Sequence, residues 1–221
     1  MSTAPRLTIN LNNLASNWQF MTEHSGAAQT SAVIKANGYG LGIDIVAKTL
    51  SEAGCDTFFT AMMEEAETVR SVVPEARIFV LNGIVDETIE TAKQINAIPV
   101  LSSMYQIEMW SKQSDGQPSA IHVDTGMNRL GLSLEEAQSL ADDRDMLGSI
   151  NPQLLMSHLA CGDEPQDPKN TEQLENFKIA SCYFPDIDKS FANSAGIMLG
   201  DEYQYDLTRP GISLYGAEAV N

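Results

Sequence analysis

Basic residues are scarce in this sequence. The 221 residues hold 13 Lys and Arg against 30 Asp and Glu, which gives a formal net charge of −17. Such a deficit of positive charge argues against a protein that binds nucleic acid through a basic surface. It also argues against electrostatic attraction to an anionic membrane. We therefore expect neither nucleic acid nor a membrane as a partner.

Cysteines and long apolar runs are also few. Cys55, Cys161 and Cys182 are the three cysteines, and none is part of a CxxC motif. This excludes a disulfide framework and a zinc knuckle, so we expect reduced thiols and no metal site. No apolar stretch approaches the roughly 18 residues of a membrane span. The first residues, MSTAPRLTIN, have no pattern of a cleaved leader. We expect a soluble, cytoplasmic protein.

What the chain does contain is a repeated pattern of a short apolar run, a turn and a stretch with helical spacing. The runs are mostly apolar throughout, which is typical of parallel strands buried on both faces. Eight runs fit this description: 30–35 (TSAVIK), 57–61 (TFFTA), 77–81 (RIFVL), 98–102 (IPVLS), 120–124 (AIHVD), 153–158 (QLLMSH), 189–193 (KSFAN) and 206–209 (DLTR).

Helices are predicted between these strands from apolar residues that recur on one face. The predicted buried positions are Ile43, Val46, Ala47 and Leu50 in 43–53; Met62, Ala66, Val69 and Val73 in 62–73; Leu134, Ala137, Leu140 and Ala141 in 133–142; and Leu174, Phe177 and Ile179 in 171–183. Ser133 and Glu136 have the spacing of a capping box. Segments 86–95 and 103–112 are weaker helix predictions.

Eight strand–helix repeats predict an α/β protein with a TIM-type (β/α)8 barrel, whose usual length is about 250 residues. A doubly wound open sheet is the alternative, because a count of repeats does not show closure. We expect residues 1–221 to form one barrel domain. The alternation over 6–11 predicts an additional strand outside the eight repeats, and 11–23 has helical spacing.

In such a barrel the chemistry lies where strands end and loops begin. Lys35 ends a buried run, where a charged ammonium is unfavourable and a neutral, nucleophilic amine is favoured. The alternative is a lysine that only reaches solvent. The glycine-rich segment 37–42 after it could bind a phosphate through backbone amides, or could be a tight turn. Its spacing is GxGxG, and only Asp56 further along supports a dinucleotide site.

Other polar residues follow the later strands. Arg209, taken alone, is expected to pair with one of the many carboxylates. The alternative is that it faces an anion beside Ser194, Gly211 and Ile212, since barrels often bind phosphate after strands 7 and 8. His158 is expected to be a hydrogen-bonded histidine near a cleft, and His122 to line the barrel. The acidic pairs, including Glu64–Glu65, are expected to be solvated.

Five segments of the sequence, taken in order, resemble the alanine racemase family. They are AVIKANGYG at 32–40, VDTGMNRLG at 123–131, SHLA at 157–160, NSA at 193–195 and RPGISLYG at 209–216. The resemblance implies the barrel domain of an enzyme that uses pyridoxal 5′-phosphate to interconvert L- and D-alanine, which supplies D-alanine for peptidoglycan. Its alternatives are a racemase of the same family for serine or several amino acids, and a non-catalytic single-domain carrier of the cofactor.

The resemblance also implies roles for individual residues. Lys35 would hold the cofactor covalently and act as a catalytic base on one face of the substrate Cα. Arg129 would lie near the cofactor phenolic oxygen and bind the substrate carboxylate, and His158 would support Arg209, which faces the pyridine nitrogen. The cofactor phosphate would be bound by Tyr39, Ser194, Gly211 and Ile212, and Asn193 belongs to the same cofactor-binding set.

Three differences from the family pattern shape our expectations. The second base in the family is a tyrosine of a C-terminal β domain, supplied by the partner subunit of a homodimer, and that domain would follow residue 216. We therefore expect this chain alone to bind the cofactor weakly and to racemise alanine poorly or not at all. His122 stands where many members have a lysine that supports the arginine equivalent to Arg129. Residues 1–11 would pair with the absent domain.

Overall fold

The computed structural model describes residues 8–220 of the chain. Its strands are β1 (Gln29–Thr30), β2 (Ala32–Val33), β3 (Thr57–Thr60), β4 (Arg77–Val80), β5 (Ala97–Leu101), β6 (Ser119–His122), β7 (Pro152–Met156), β8 (Asp188–Ser190) and β9 (Leu207–Thr208). Its α-helices are α1 (Leu11–His24), α2 (Lys35–Tyr39), α3 (Ile43–Glu52), α4 (Met63–Val72), α5 (Ile89–Gln94), α6 (Met104–Gln113), α7 (Leu134–Asp142), α8 (Arg144–Ile150), α9 (Pro168–Tyr183) and α10 (Ser194–Leu199). Short 3-10 helices cover Asp86–Thr88, Asp201–Tyr203 and Ile212–Tyr215.

The strands form a closed ring. Strands β2 to β8 pair in chain order, all in parallel. β1 and β2 are one strand interrupted at Ser31, and β1 pairs in parallel with β9. The remaining gap is closed by hydrogen bonds from Asp206 N to Lys189 O (3.1 Å) and from Arg209 N to Ala192 O (2.9 Å). The predicted eight-stranded barrel is confirmed, and the open sheet is wrong.

Neighbouring strand residues face opposite sides of the barrel wall. Phe59 points into the barrel, where its ring stacks on that of Phe79 with centroids 4.7 Å apart. Phe58 points outward into the larger core between strands and helices. Both are fully buried, as the alternating directions of strand side chains require when each face is covered. This double burial is the reason that the strands are apolar throughout.

Two helix predictions are confirmed in detail. The predicted face of α3 is buried at all of its positions, from Ile43 to Leu50. At the start of α7, Ser133 Oγ accepts from Glu136 N (3.1 Å) and Glu136 Oε2 accepts from Ser133 N (2.8 Å). The weaker predictions correspond to α5, preceded by a 3-10 turn, and to α6.

Other helix predictions need correction. Met62 is 47% exposed, because α4 begins one residue later and buries Met63 instead. Ile179 is 45% exposed, because it lies about 140° around α9 from Leu174, at 3.6 residues per turn. Helices α8 and α10 were not expected at all.

The predicted strand over 6–11 lies partly outside the described residues. Thr8 to Asn10 have no regular secondary structure, and Leu11 already belongs to α1, whose buried positions are Leu14, Trp18 and Met21. Over residues 8–220, every helix falls short of the length or the apolar character that a bilayer crossing requires.

Candidate functional site

A cleft of about 400 Å³ opens at the carboxyl ends of the strands. It brings together side chains that are far apart in the sequence, because parallel strands all end at the same rim of the barrel. Every predicted site residue except Arg129 lines it: Lys35, Tyr39, His158, Asn193, Ser194, Arg209, Gly211 and Ile212. The cleft is therefore the candidate functional site.

Lys35 and Tyr39 enter the cleft from an unusual turn after β2. Residues 36 to 39 all have positive φ, at 53°, 55°, 62° and 52°, and form one left-handed turn closed by the bond from Gly38 N to Ile34 O (2.9 Å). Gly38 is packed closely, since an added Cβ would lie 3.0 Å from Val46 Cγ2. The turn brings Lys35 and Tyr39 to the same side.

The glycine-rich segment 37–42 is a tight turn and not a phosphate cradle. The amides of Gly38, Gly40 and Gly42 donate to carbonyl oxygens within the turn itself. Asn37 Oδ1 accepts from Ile43 N (3.0 Å) at the start of α3. The backbone donors that would bind an anion are thus already used, and that hypothesis is wrong.

Asp56 does not support a dinucleotide site either. It lies just before β3, at the end of the barrel opposite the cleft. Its carboxylate accepts from Gln29 Nε2 (2.8 Å) and from Thr57 Oγ1 (2.8 Å). These contacts tie two strand beginnings together and leave it remote from any ligand in the cleft.

A polar corner of the cleft is formed by Tyr39, Ser194 and Gly211. Ser194 Oγ accepts from Gly211 N (2.8 Å), and the Tyr39 ring stacks on that of Tyr215 at 4.4 Å between centroids. The Tyr39 hydroxyl lies so close to Gly211 that an added Cβ would be 2.6 Å from its oxygen. Burial raises the pKa of Tyr39, so its hydroxyl stays protonated and can donate. Asn193 Oδ1 caps α10 by accepting from Gly196 N (2.9 Å).

Arg209 is a buried cation on the floor of the cleft. Its side chain is 3% exposed and donates to Ser190 Oγ and to the carbonyl oxygens of Ser157 and Phe191. Burial lowers the pKa of its guanidinium to about 9, so the group is charged at neutral pH. Across residues 8–220 no carboxylate is within ion-pair distance of it. The predicted ion pair is therefore absent from this part of the chain, and the charge favours an anion in the cleft.

Two histidines next to Arg209 are neutral. Burial, and then the charge of Arg209, lowers the pKa of His122 to about 4 and that of His158 to about 3. His122 lines the barrel as expected, whereas His158 reaches the cleft. The expected hydrogen bond of His158 is not found, since neither ring bonds to another described residue.

Arg129 is exposed and does not line the cleft, whereas Met127 of the same loop does. Its loop is organised by Asp124, whose Oδ1 accepts from the amides of Gly126 (2.8 Å), Met127 (2.8 Å) and Asn128 (3.1 Å). The Arg129 charge still contributes to the lowered pKa of both His122 and His158, so the guanidinium lies near the cleft.

Two residues that organise the site were not predicted. Gln173 on α9 is fully buried and holds the loop after β7, because its Oε1 accepts from Ala160 N (2.8 Å) and its Nε2 donates to His158 O (2.9 Å). Its polar side chain four residues before Phe177, on a buried helical face, is the sequence signal for it.

Glu65 was expected on a solvated face. Its carboxylate instead accepts hydrogen bonds from the backbone amides of Asn37, Ala61 and Met62. It fills the third position of α4 in a capping box, and this was obscured because the preceding cap residue is Met62.

Comparison with known proteins identifies what the chain resembles. The sequence pattern of the family described as "Alanine racemase, N-terminal domain" matches residues 9–219. The biosynthetic alanine racemase of Agrobacterium fabrum is 49% identical over 219 residues, which are 98% of this chain and 56% of the relative. The alanine racemase of Rhizobium meliloti is 45% identical, over 100% of this chain and 59% of the relative. The chain thus spans less than two thirds of the length of these relatives.

Solved structures agree with these sequence relatives. Alanine racemase from Bartonella henselae with covalently bound pyridoxal phosphate superposes with a TM-score of 0.91 at 38% identity, over 96% of this chain and 63% of that one. The biosynthetic alanine racemase of Pseudomonas aeruginosa superposes with a TM-score of 0.88 at 30% identity, over 95% and 59%.

Proposed function

The chain belongs to the alanine racemase N-terminal domain family, and from this premise we propose that it is the cofactor-binding barrel of an alanine racemase. The full-length enzyme would act in the cytoplasm, where it would bind pyridoxal 5′-phosphate and interconvert L- and D-alanine. This reaction would supply D-alanine for peptidoglycan. The observation that carries the proposal is one cleft that holds a lysine amine, a corner of hydroxyl groups and a buried cation that has no carboxylate partner among residues 8–220.

These residues fit an anionic pyridoxal cofactor. The phosphate would be bound at the polar corner, where the Tyr39 and Ser194 hydroxyls meet Gly211 and the following Ile212. Gly211 suits this role because an added Cβ would displace the Tyr39 hydroxyl from the corner. Asn193 would support the corner by fixing the start of α10, which carries Ser194.

Arg209 would face the pyridine nitrogen of the cofactor. Because its guanidinium retains its proton at neutral pH, it would donate a hydrogen bond without transferring the proton to the ring. Its position is fixed by donation to Ser190 Oγ and to the Ser157 carbonyl. His158, neutral beside it, adds no second charge that would repel Arg209.

Lys35 would act both in holding the cofactor and in catalysis. Its Nζ would form the covalent bond to the cofactor and, once substrate has replaced it, would take the proton from one face of Cα. When bound, the cofactor supplies an electron sink that acidifies this Cα–H bond. Arg129 would orient the substrate carboxylate. Return of the proton on the opposite face needs a second acid, which we assign to the part of a homodimeric full-length enzyme that this chain does not span.

Titration with pyridoxal 5′-phosphate tests the proposal. We expect the chain to develop an absorbance band near the edge of the visible range, and Lys35→Ala to abolish it. Lys48→Ala is the matched control, since Lys48 is exposed on α3 away from the cleft. A band that persists in Lys35→Ala, or the absence of a band in the parent chain, would contradict the assignment of Lys35.

A further inference from the structure

Glu65 connects the loop after β3 to the turn after β2, which lines the cleft. Its Oε2 accepts from Ala61 N (2.8 Å) and Met62 N (3.2 Å) at the beginning of α4. Its Oε1 accepts from Asn37 N (2.9 Å), in the middle of the left-handed turn that follows Lys35. A single carboxylate therefore joins the loop after β3 to the loop after β2.

The turn that Glu65 contacts is unfavourable by itself. Ala36, Asn37 and Tyr39 have φ values of 53°, 55° and 52°, a region that side chains with a Cβ disfavour. Asparagine tolerates this conformation better than alanine or tyrosine does. Such a conformation persists only where surrounding contacts fix it, and conformations of this kind are typically found near functional sites. The bond to Asn37 N is one such contact.

The same turn determines where two cleft residues point. Lys35 precedes the left-handed residues and Tyr39 ends them, and both line the cleft. Tyr39 is further held by its stacking on Tyr215. The Glu65 carboxylate also lies near this aromatic pair, since its charge contributes to the raised pKa of Tyr215.

We propose that Glu65 is a positioning residue for Lys35 and Tyr39: through Asn37 N it holds the left-handed turn that presents them to the cofactor. This inference rests on the proposed function, because it takes the cofactor to be bound by these two side chains. A carboxylate suits the task, since both oxygens accept hydrogen bonds at once, whereas a glutamine offers only one acceptor oxygen.

A matched pair of variants separates positioning from simple helix capping. Glu136 has the same capping-box contact in α7, with Oε2 accepting from Ser133 N, and it does not line the cleft. We expect both variants to lower the melting temperature, Glu65→Ala by more, because it removes the acceptor of three backbone amides and Glu136→Ala that of one. Only Glu65→Ala should weaken binding of pyridoxal 5′-phosphate, by about tenfold, since bonds to a charged acceptor have about this effect.

Hydrogen–deuterium exchange of the chain without cofactor provides a second readout. Amides of Gly38 and Gly40 should exchange faster in Glu65→Ala than in the parent or in Glu136→Ala. If Glu65→Ala does not fold, Glu65→Gln, which retains one acceptor oxygen, should show the same changes with smaller amplitude. Equal affinity and equal exchange in the parent and the Glu65 variants would overturn the positioning role alone. A parent chain that binds no cofactor would overturn the proposed function, and the inference with it.

Discussion

Replacement of Gly211 by alanine adds one methyl group at the most crowded point of the polar corner. The backbone φ of Gly211 is −128°, which is outside the left-handed region that favours glycine. The new Cβ would lie 2.6 Å from Tyr39 Oη and 3.3 Å from Val33 Cβ. Because Tyr39 is stacked on Tyr215, its ring cannot move away without loss of that contact. Overpacking of this kind costs about 1–3 kcal/mol, and we expect about 1–2 kcal/mol here.

Urea unfolding of the Gly211→Ala chain measures this cost against a control of opposite sign. Gly148 lies in α8, and none of the described atoms of residues 8–220 would come within 4 Å of an added Cβ. Gly148→Ala should therefore raise the free energy of unfolding by about 0.5–1 kcal/mol, since glycine is unfavourable inside a helix. Displacement of the Tyr39 hydroxyl should also weaken cofactor binding by about tenfold, or 1.4 kcal/mol. Stability and affinity both unchanged in Gly211→Ala would refute the proposed crowding at the corner.

Two further predictions concern buried ionisable groups. Arg209→Lys should lose about 1–3 kcal/mol of unfolding free energy, because one ammonium cannot replace the guanidinium's bonds to Ser190 and two carbonyls. Arg144→Lys, at an exposed position, should lose almost nothing. Equal denaturation midpoints for the two variants would be evidence against this role of Arg209. The pKa of His122 is about 4 in the folded chain against an ordinary 6.5, so below pH 6.5 the unfolded chain binds the additional proton and stability falls. This proton uptake should lower the free energy of unfolding at pH 5 by about 2 kcal/mol relative to pH 8. The unfolding free energy of His122→Gln should depend correspondingly less on pH. Parallel curves of unfolding free energy against pH for the two chains would contradict the burial effect.

The order of the barrel strands could be predicted from the sequence because burial on both faces marks each strand. Phe58 and Phe59 are adjacent and both fully buried, on opposite sides of the wall, as a strand that is covered on both faces requires. Once the strands were ordered, the rule that parallel strands end at one rim identified the residues of the cleft. Closure also depended on the pairing of β1 with β9, which no local pattern encodes.

Local backbone conformation was harder to predict. Ala36 and Tyr39 have no preference for positive φ, and the left-handed turn is imposed by contacts from Glu65 and from the packing of Gly38 on Val46. The roles of residues whose partners are remote in the sequence were hard to predict for the same reason. Glu65 bonds to a residue 28 positions earlier in the chain, so its own surroundings in the sequence only indicated an exposed acidic pair.

Identification of the lysine that reacts with pyridoxal 5′-phosphate tests the central claim most directly. The chain would be incubated with the cofactor, reduced with borohydride to make the bond permanent, and digested for peptide mass spectrometry. Exposed lysines such as Lys48 and Lys112 are the competing targets. We predict that the adduct is found on Lys35, at substoichiometric cofactor, and that Arg209→Lys reduces its yield. An adduct spread over the exposed lysines, with Lys35 unmodified, would contradict the cleft as the cofactor site.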